Sequence, residues 1–210
     1  MGVYVITGAA SGLGAATADR LHAAGHGVIG VDLSGADVDA DLGTSEGRSE
    51  AVTRIGELVG ESPIDGFAAF AGLGPGAGRT GSSLVSVNYF GAVDLLAGIR
   101  HLLARSLASS AILVSSNSTT TQPGWPMELA DACLAGDEAL ARGIADSYGE
   151  YGSVPTYPAT KAALAYWRIL GIVATPSLVG PTIRKCSAEY SSGALLGSAV
   201  LVALRARIRI

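Results

Sequence analysis

The first 32 residues constrain this chain more than any other stretch. Val3-Tyr4-Val5-Ile6 is β-branched or aromatic throughout, which favours an extended strand. The run Thr7-Gly8-Ala9-Ala10-Ser11-Gly12-Leu13-Gly14 follows, and then residues 15–24, rich in Ala and free of Pro and Gly, read as a helix. Gly25 stops that helix, and Gly27-Val28-Ile29-Gly30-Val31-Asp32 reads as a second strand ending in an acid. Strand, glycine turn, helix and strand in about thirty residues is the layout of a dinucleotide-binding βαβ unit.

In such a unit the backbone of Gly8, Ser11, Gly12, Leu13 and Gly14 lies where it can hold a pyrophosphate. Free amides and the partial positive charge of the helix start attract the anion. Gly12 lets those amides approach the phosphates, and Gly14 lets the helix pack closely on the sheet. Asp32 comes eighteen residues after Gly14, where an acid can accept hydrogen bonds from an adenosine ribose. With 29 glycines in 210 residues, the glycine spacing alone would be weak. The full sequence of elements is what makes it specific.

Composition closes several other routes. The length fits one domain with one sizeable core, and 49% hydrophobic against 15% charged residues excludes a disordered chain. A net charge of −4 without a long basic run argues against nucleic acid as a partner. Cys133 and Cys186 show neither a disulfide framework nor metal-ligand spacing, and His22, His26 and His101 lack ligand partners, so no metal is expected. The N-terminal apolar run leads straight into the glycine turn and reads as a strand, not a signal peptide. Residues 193–204 are too few to span a bilayer. The expectation is a cytoplasmic protein with no membrane partner.

Past Asp32, residues 38–42 suggest a short strand. Residues 45–59 place Ala51, Val52, Ile55, Leu58 and Val59 at helical spacing. Asp41 could cap that helix. Residues 66–72 read as a buried parallel strand ending in Ala71-Gly72, and residues 73–81 as a glycine-rich mobile loop. Residues 83–105 read as helix with Asn88 inside it, where an amide competes for backbone groups unless it caps or bridges. Residues 110–116 give a further strand, Ala111-Ile112-Leu113-Val114 ending in Ser115-Ser116. Apolar strands alternating with helices point to an α/β fold: a doubly wound, mostly parallel Rossmann-type sheet in a single domain. Gly8, Asp32, Gly72 and Ser116 all fall at predicted carboxyl ends of strands, where such sheets bind ligands.

Further on, Tyr157-Pro158-Ala159-Thr160-Lys161 puts Tyr157 and Lys161 four residues apart on one helix face, with Pro158 tolerated if the helix starts near it. A phenol has a pKa of about 10, and a nearby ammonium favours the phenolate, so the pair can exchange a proton with an alcohol or carbonyl oxygen. Ser116 could hydrogen-bond that oxygen as charge develops on it. Taken singly, Ser116 could simply start a turn and Tyr157 and Lys161 could be an exposed pair.

Together, the glycine spacing, Ala71-Gly72, Asn88, Ser116 and the Tyr157/Lys161 pair resemble the short-chain dehydrogenase/reductase family over about residues 3–170. The resemblance implies that Asn88, Ser116, Tyr157 and Lys161 are catalytic, Asn88 holding a water in a proton path. It also implies that Gly72, Tyr157 and Lys161 contact the cofactor, and that Asp41 and Leu42 meet the adenine ring. Asp32, with no Arg or Lys in the glycine turn or just after it, predicts NAD over NADP. Within the family the chain looks closest to the bacterial 3α-hydroxysteroid dehydrogenase/carbonyl reductase subgroup, on Gly14-Ala15-Ala16-Thr17, Ala23-Ala24-Gly25-His26, Ala71-Gly72-Leu73-Gly74-Pro75 and residues 85–91. Ser116 and Tyr157 are 41 residues apart, which is similar to that subgroup's helical insertion, here about residues 118–150 with one or two helices after Met127. A small-molecule alcohol or ketone and, as a homodimer, a second copy of the chain are the implied partners.

After about residue 170 the resemblance stops. Gly180-Pro181 does not reproduce the family's Pro-Gly segment, and residues 193–210 could be a helix or an edge strand. The expectation is that residues 171–210 form an atypical tail, that the last strands are missing, and that a reading-frame change or divergent truncation produced it. Two functions stay open: an NAD-dependent alcohol dehydrogenase or carbonyl reductase, and a protein that binds NAD without turnover.

Overall fold

The computed structural model describes residues 1–122, 124–174, 182–187 and 200–205. Strand β1 (Val3–Thr7), helix α1 (Gly12–Ala23) and β2 (Gly27–Asp32) form the expected opening unit, with β1 and β2 parallel. A two-residue β3 (Val38–Asp39) and α2 (Ser45–Val59) lead to β4 (Gly66–Ala69). A continuous helical run follows: α3 (Gly81–Val85), a π-helical turn (Ser86–Phe90) and α4 (Gly91–Leu103). Strand β5 (Ser110–Val114) precedes α5 (Ser118–Thr121), α6 (Met127–Leu134), α7 (Glu138–Asp146) and α8 (Ser153–Ala174).

The sheet order is β3-β2-β1-β4-β5, all parallel, continued by two antiparallel strands, β7 (Val200–Arg205) and then β6 (Thr182–Ser187). The strand sequence runs outward from β1 to β3 and then outward again through β4 to β5. The reversal falls between β1 and β4, and the crevice beyond their carboxyl ends is where such sheets take ligands. Apolar residues line up across these strands: Val5 sits beside Ile29 and Phe67, and Phe67 beside Ala111. Ile55 of α2 and Leu95 and Ile99 of α4 pack into the same fully buried core. The run Gly81–Leu103 has the length and hydropathy of a membrane span, but 72% of its most apolar window is buried inside the fold, as expected of a core helix.

Sequence and structure agree on β2 and α2 to the residue. Strand β3 stops at Asp39 and β4 at Ala69, short of their expected ends, because their ladders end with the paired strands. The cap of α2 is Thr44, whose hydroxyl accepts the Gly47 N–H at 3.0 Å; Asp41 accepts the Gly43 N–H instead. Helix α8 starts five residues before Pro158, not near it. The proline therefore lies inside the helix and forgoes one backbone bond. The parallel part of the sheet ends at β5, and the described tail residues add two antiparallel strands there, with β7 paired directly to β5. Residues 200–205 are a β-branched and Leu-rich run suited to an internal strand, and the outer position goes to β6, which carries Arg184 and Lys185. His26 is structural: its Nδ1 accepts the Gly2 N–H at 3.1 Å and its ring meets Tyr4 edge-on.

At the switch point Thr7, 1% exposed, joins the two halves: its hydroxyl accepts the Ala71 N–H at 3.0 Å. Thr7→Val keeps the shape but orphans that amide. The expected loss is about 1–3 kcal/mol of unfolding free energy, read as a lower urea midpoint at unchanged slope.

Candidate active site

A cavity of about 670 Å³ opens at the carboxyl ends of β1, β2 and β4. Gly8, Ser11, Gly12, Leu13, Gly14, Asp32, Asp41, Leu42 and Gly72 all line it. These are the nine cofactor candidates of the sequence apart from Tyr157 and Lys161. Their local shape suits a nucleotide. Gly8 and Gly12 take φ of +68° and +53°, and a Cβ on Gly14 would sit 2.0 Å from the Gly8 carbonyl oxygen. The turn can thus be this tight only without side chains, leaving backbone amides open to the cavity at the α1 start. Asp32 Oδ2 accepts the Ala10 N–H at 2.9 Å and Oδ1 the Leu33 N–H at 2.8 Å. Each oxygen keeps a second lone pair, so the carboxylate can still accept from ribose hydroxyls. The donor set and the glycine cradle fit a dinucleotide.

The four catalytic candidates come from three elements around β5. Lys161, 6% exposed, anchors α8 to that strand at both ends: its Nζ donates to the Val114 carbonyl at 3.0 Å, and its own carbonyl accepts the Ser115 hydroxyl at 2.8 Å. Burial pulls its ammonium down from 10.5 to about 8. The half-buried Tyr157 is one turn back, with the Lys161 Nζ 5.9 Å from its ring centroid. Ser116 is buried, and its Oγ accepts the Ser118 N–H at 3.1 Å, so its own proton is free to donate. Asn88 occupies the π-helical turn, which is the kind of local irregularity found at functional positions. Its amide grips one residue twice: Nδ2 donates to the Leu73 carbonyl at 2.9 Å, and Oδ1 accepts the Leu73 N–H at 2.6 Å. The amide thus bridges to the start of the loop read as mobile and fixes Leu73. A Cβ on Gly72 would come within 3.2 Å of Asn88 Oδ1 and 3.8 Å of Lys161 Nζ. Gly72 is therefore the joint between the cavity of the cofactor candidates and the cluster of the catalytic candidates.

Sequence reasoning missed one group, the polar face of α7. Arg142 lines the cavity and donates to the Ser86 hydroxyl, which in turn donates to Glu138 at 2.6 Å. Glu138 also pairs with Arg48 of α2, only 4% exposed. Asp94 Oδ2 lies 2.9 Å from Arg48 Nε, and Arg48 Nη1 donates to the Leu42 carbonyl at 3.2 Å. Arg142 and Glu138 stand four residues apart, a face that could have been noticed, but nothing local indicates that it meets residues 48 and 86.

No family model matches the chain. Over 164 residues it is 40% identical to the 3-alpha-hydroxysteroid dehydrogenase/carbonyl reductase of Comamonas testosteroni, covering 78% of this chain and 63% of that protein. The crystal structure of the 3-alpha-hydroxysteroid dehydrogenase from Pseudomonas sp. B-0831 complexed with NADH aligns with a TM-score of 0.75 and 39% identity, covering 82% of this chain and 66% of that one. The chain spans just under two thirds of the length of these two relatives. A short-chain dehydrogenase/reductase family oxidoreductase from Brucella ovis, in complex with a partially ordered NAD, shares the fold at 19% identity and a TM-score of 0.52, covering 79% of this chain and 91% of its own. Joined to the glycine turn, Asn88, Ser116 and the Tyr157/Lys161 pair, this kinship shows that the chain belongs to the short-chain dehydrogenase/reductase family.

Proposed function

We propose that the protein binds NAD(H) and interconverts a secondary alcohol and a ketone, with hydroxysteroids and other bulky carbonyl compounds as the substrate class. The observation that carries the reading is the placement of all nine glycine-turn, acid and strand-end candidates on one cavity that meets Lys161 and Asn88 at Gly72. The preference for NAD over NADP rests on Asp32 in that cavity, since a carboxylate repels a 2′-phosphate. The names of the two relatives about 40% identical to this chain support the substrate class.

The nicotinamide, when bound, supplies or accepts the hydride. Tyr157 passes a proton between its hydroxyl and the substrate oxygen. Ser116 donates its free hydroxyl proton to the same oxygen and steadies the charge that grows there. Lys161 uses one N–H on the Val114 carbonyl and keeps two, enough for a ribose hydroxyl and for electrostatic support of Tyr157. Asn88 acts as a positioning residue, holding Leu73 and with it Gly72 beside Lys161. A second reading, binding without turnover, rests on residues 171–210, where Gly180-Pro181 does not reproduce the family's Pro-Gly segment.

Titration of NADH by its fluorescence, run beside turnover of a panel of bulky ketones, separates the two. Wild type is expected to bind and turn over, and Tyr157→Phe to bind equally well while losing turnover by about 100-fold or more. Binding without turnover in the wild type supports the second reading, and no NADH binding overturns both.

Lys161 also makes a prediction about stability. Its folded pKa is lowered from 10.5 to about 8, so between those values the unfolded chain holds more of the proton, and the Lys161 contribution to stability rises with pH. Relative to Lys161→Met, the wild type is expected to gain on the order of 3 kcal/mol from pH 8 to pH 10.5. Urea midpoints of both proteins across that range check it; parallel curves would refute it.

A further inference from the structure

We infer that the helical insertion completes the adenosine end of the cofactor site, with Arg142 of α7 laying its guanidinium against the bound adenine ring. The inference rests on the NAD(H)-binding reading above and adds a residue to it. Among the described residues lining the cavity, Arg142 is the one cation; the two anions there are Asp32 and Asp41. Its position is set by a chain of contacts rather than left to a free surface side chain. Nη1 of Arg142 donates to the Ser86 hydroxyl, and that hydroxyl is committed to Glu138, which is itself tied to the buried Arg48.

The same chain says which end of the cavity Arg142 faces. Ser86 directly precedes Val87, and Val87 Cγ2 lies 3.3 Å from where a Cβ of Gly43 would stand. Arg48 holds the Leu42 carbonyl. Arg142 therefore shares the cavity lining with Leu42, Gly43 and Val87, beside Asp41 and Leu42, which the family resemblance sets against adenine. A flat, weakly hydrated guanidinium on a cavity wall that also carries Leu42 and Val87 suits a purine face.

Helix α7 is seated rigidly enough to do this. A Cβ on Gly81 would come within 2.6 Å of the Ala145 carbonyl oxygen, and the Ser82 N–H donates to Asp146 at 2.9 Å. Backbone meets backbone at that contact, so the helix cannot drift from the wall without losing it.

The test uses the full chain as wild type, Arg142→Ala and Arg142→Lys. NADH is titrated by fluorescence, and adenosine and nicotinamide mononucleotide by displacement of NADH. Arg142→Ala is expected to weaken NADH and adenosine by the same factor, roughly 3- to 30-fold, and to leave nicotinamide mononucleotide unchanged. Arg142→Lys, which keeps the charge but not the plane, should fall between. Melting temperatures of all three proteins are read alongside, so a folding defect from losing the Ser86 contact shows separately from a loss of affinity. Unchanged NADH affinity in Arg142→Ala overturns the assignment, and so does a loss for NADH without a loss for adenosine, which would place the guanidinium on the phosphates. A wild type that binds no NADH refutes the underlying reading instead.

Discussion

The close seat of α1 on the turn before it is the constraint on which the rest of the structure depends. With 2.0 Å between the Gly8 carbonyl oxygen and a Cβ at position 14, no larger residue fits there without parting helix from strand. Gly14 is also the one fully buried residue of α1, so the helix is held by its first turn and not by a broad apolar face. Gly8 carries the constraint across the sheet: a Cβ on it would meet the Ala71 backbone nitrogen at 2.8 Å, where Thr7 already holds that amide. Asp32 adds the third side by accepting the Ala10 N–H. The groups read as cofactor ligands are thus among those that fix the ends of β1, β2 and β4.

Lys161 does for the catalytic side what Gly14 does for the cofactor side. It binds the end of β5 with both its ammonium and its carbonyl, so its position is set by the strand rather than by solvent. Burial works against its charge, and its ammonium therefore titrates near 8. Negative charge arriving nearby, such as a phosphate or a phenolate, acts in the opposite sense and restores the cation.

What could be read from the sequence divides by range. Strand β2 and helix α2 agree to the residue because glycine stops, an acid at the strand end and helical spacing of apolar residues are all local signals. The cofactor candidates gather on one cavity for a similar reason, since the strand order of such a sheet brings all strand ends together. The π-helical turn at Asn88 has no sequence mark, and neither does its grip on Leu73, at the start of a loop whose glycines suggest only mobility. Arg48 is harder still. In the pattern of α2 it reads as a solvated residue, yet it is buried, and the partners that make this tolerable lie 46 and 90 positions further along the chain. Residues 200–205 read as either helix or edge strand because an apolar run of that length satisfies both until its neighbour is known, and β6 on its far side makes the strand internal.

The buried Arg48 cluster bears on what the insertion is. Desolvating the Arg48 guanidinium costs several kcal/mol, so such a cluster is a weak source of stability, whereas removing a carboxylate partner leaves its charge stranded. Helix α2 belongs to the nucleotide-binding half, yet its Arg48 depends on Glu138 from α7, and Glu138 on Arg48. Leu42, a lining residue of the cavity, hangs from the same guanidinium. Without α7, Arg48 would keep the half-exposed Asp94 alone, and the Leu42 carbonyl would lose a donor held in place from both sides. Charge compensation therefore makes the insertion and the cofactor wall one unit: α7 is specified by a partner in α2, and the wall is shaped only when both are present.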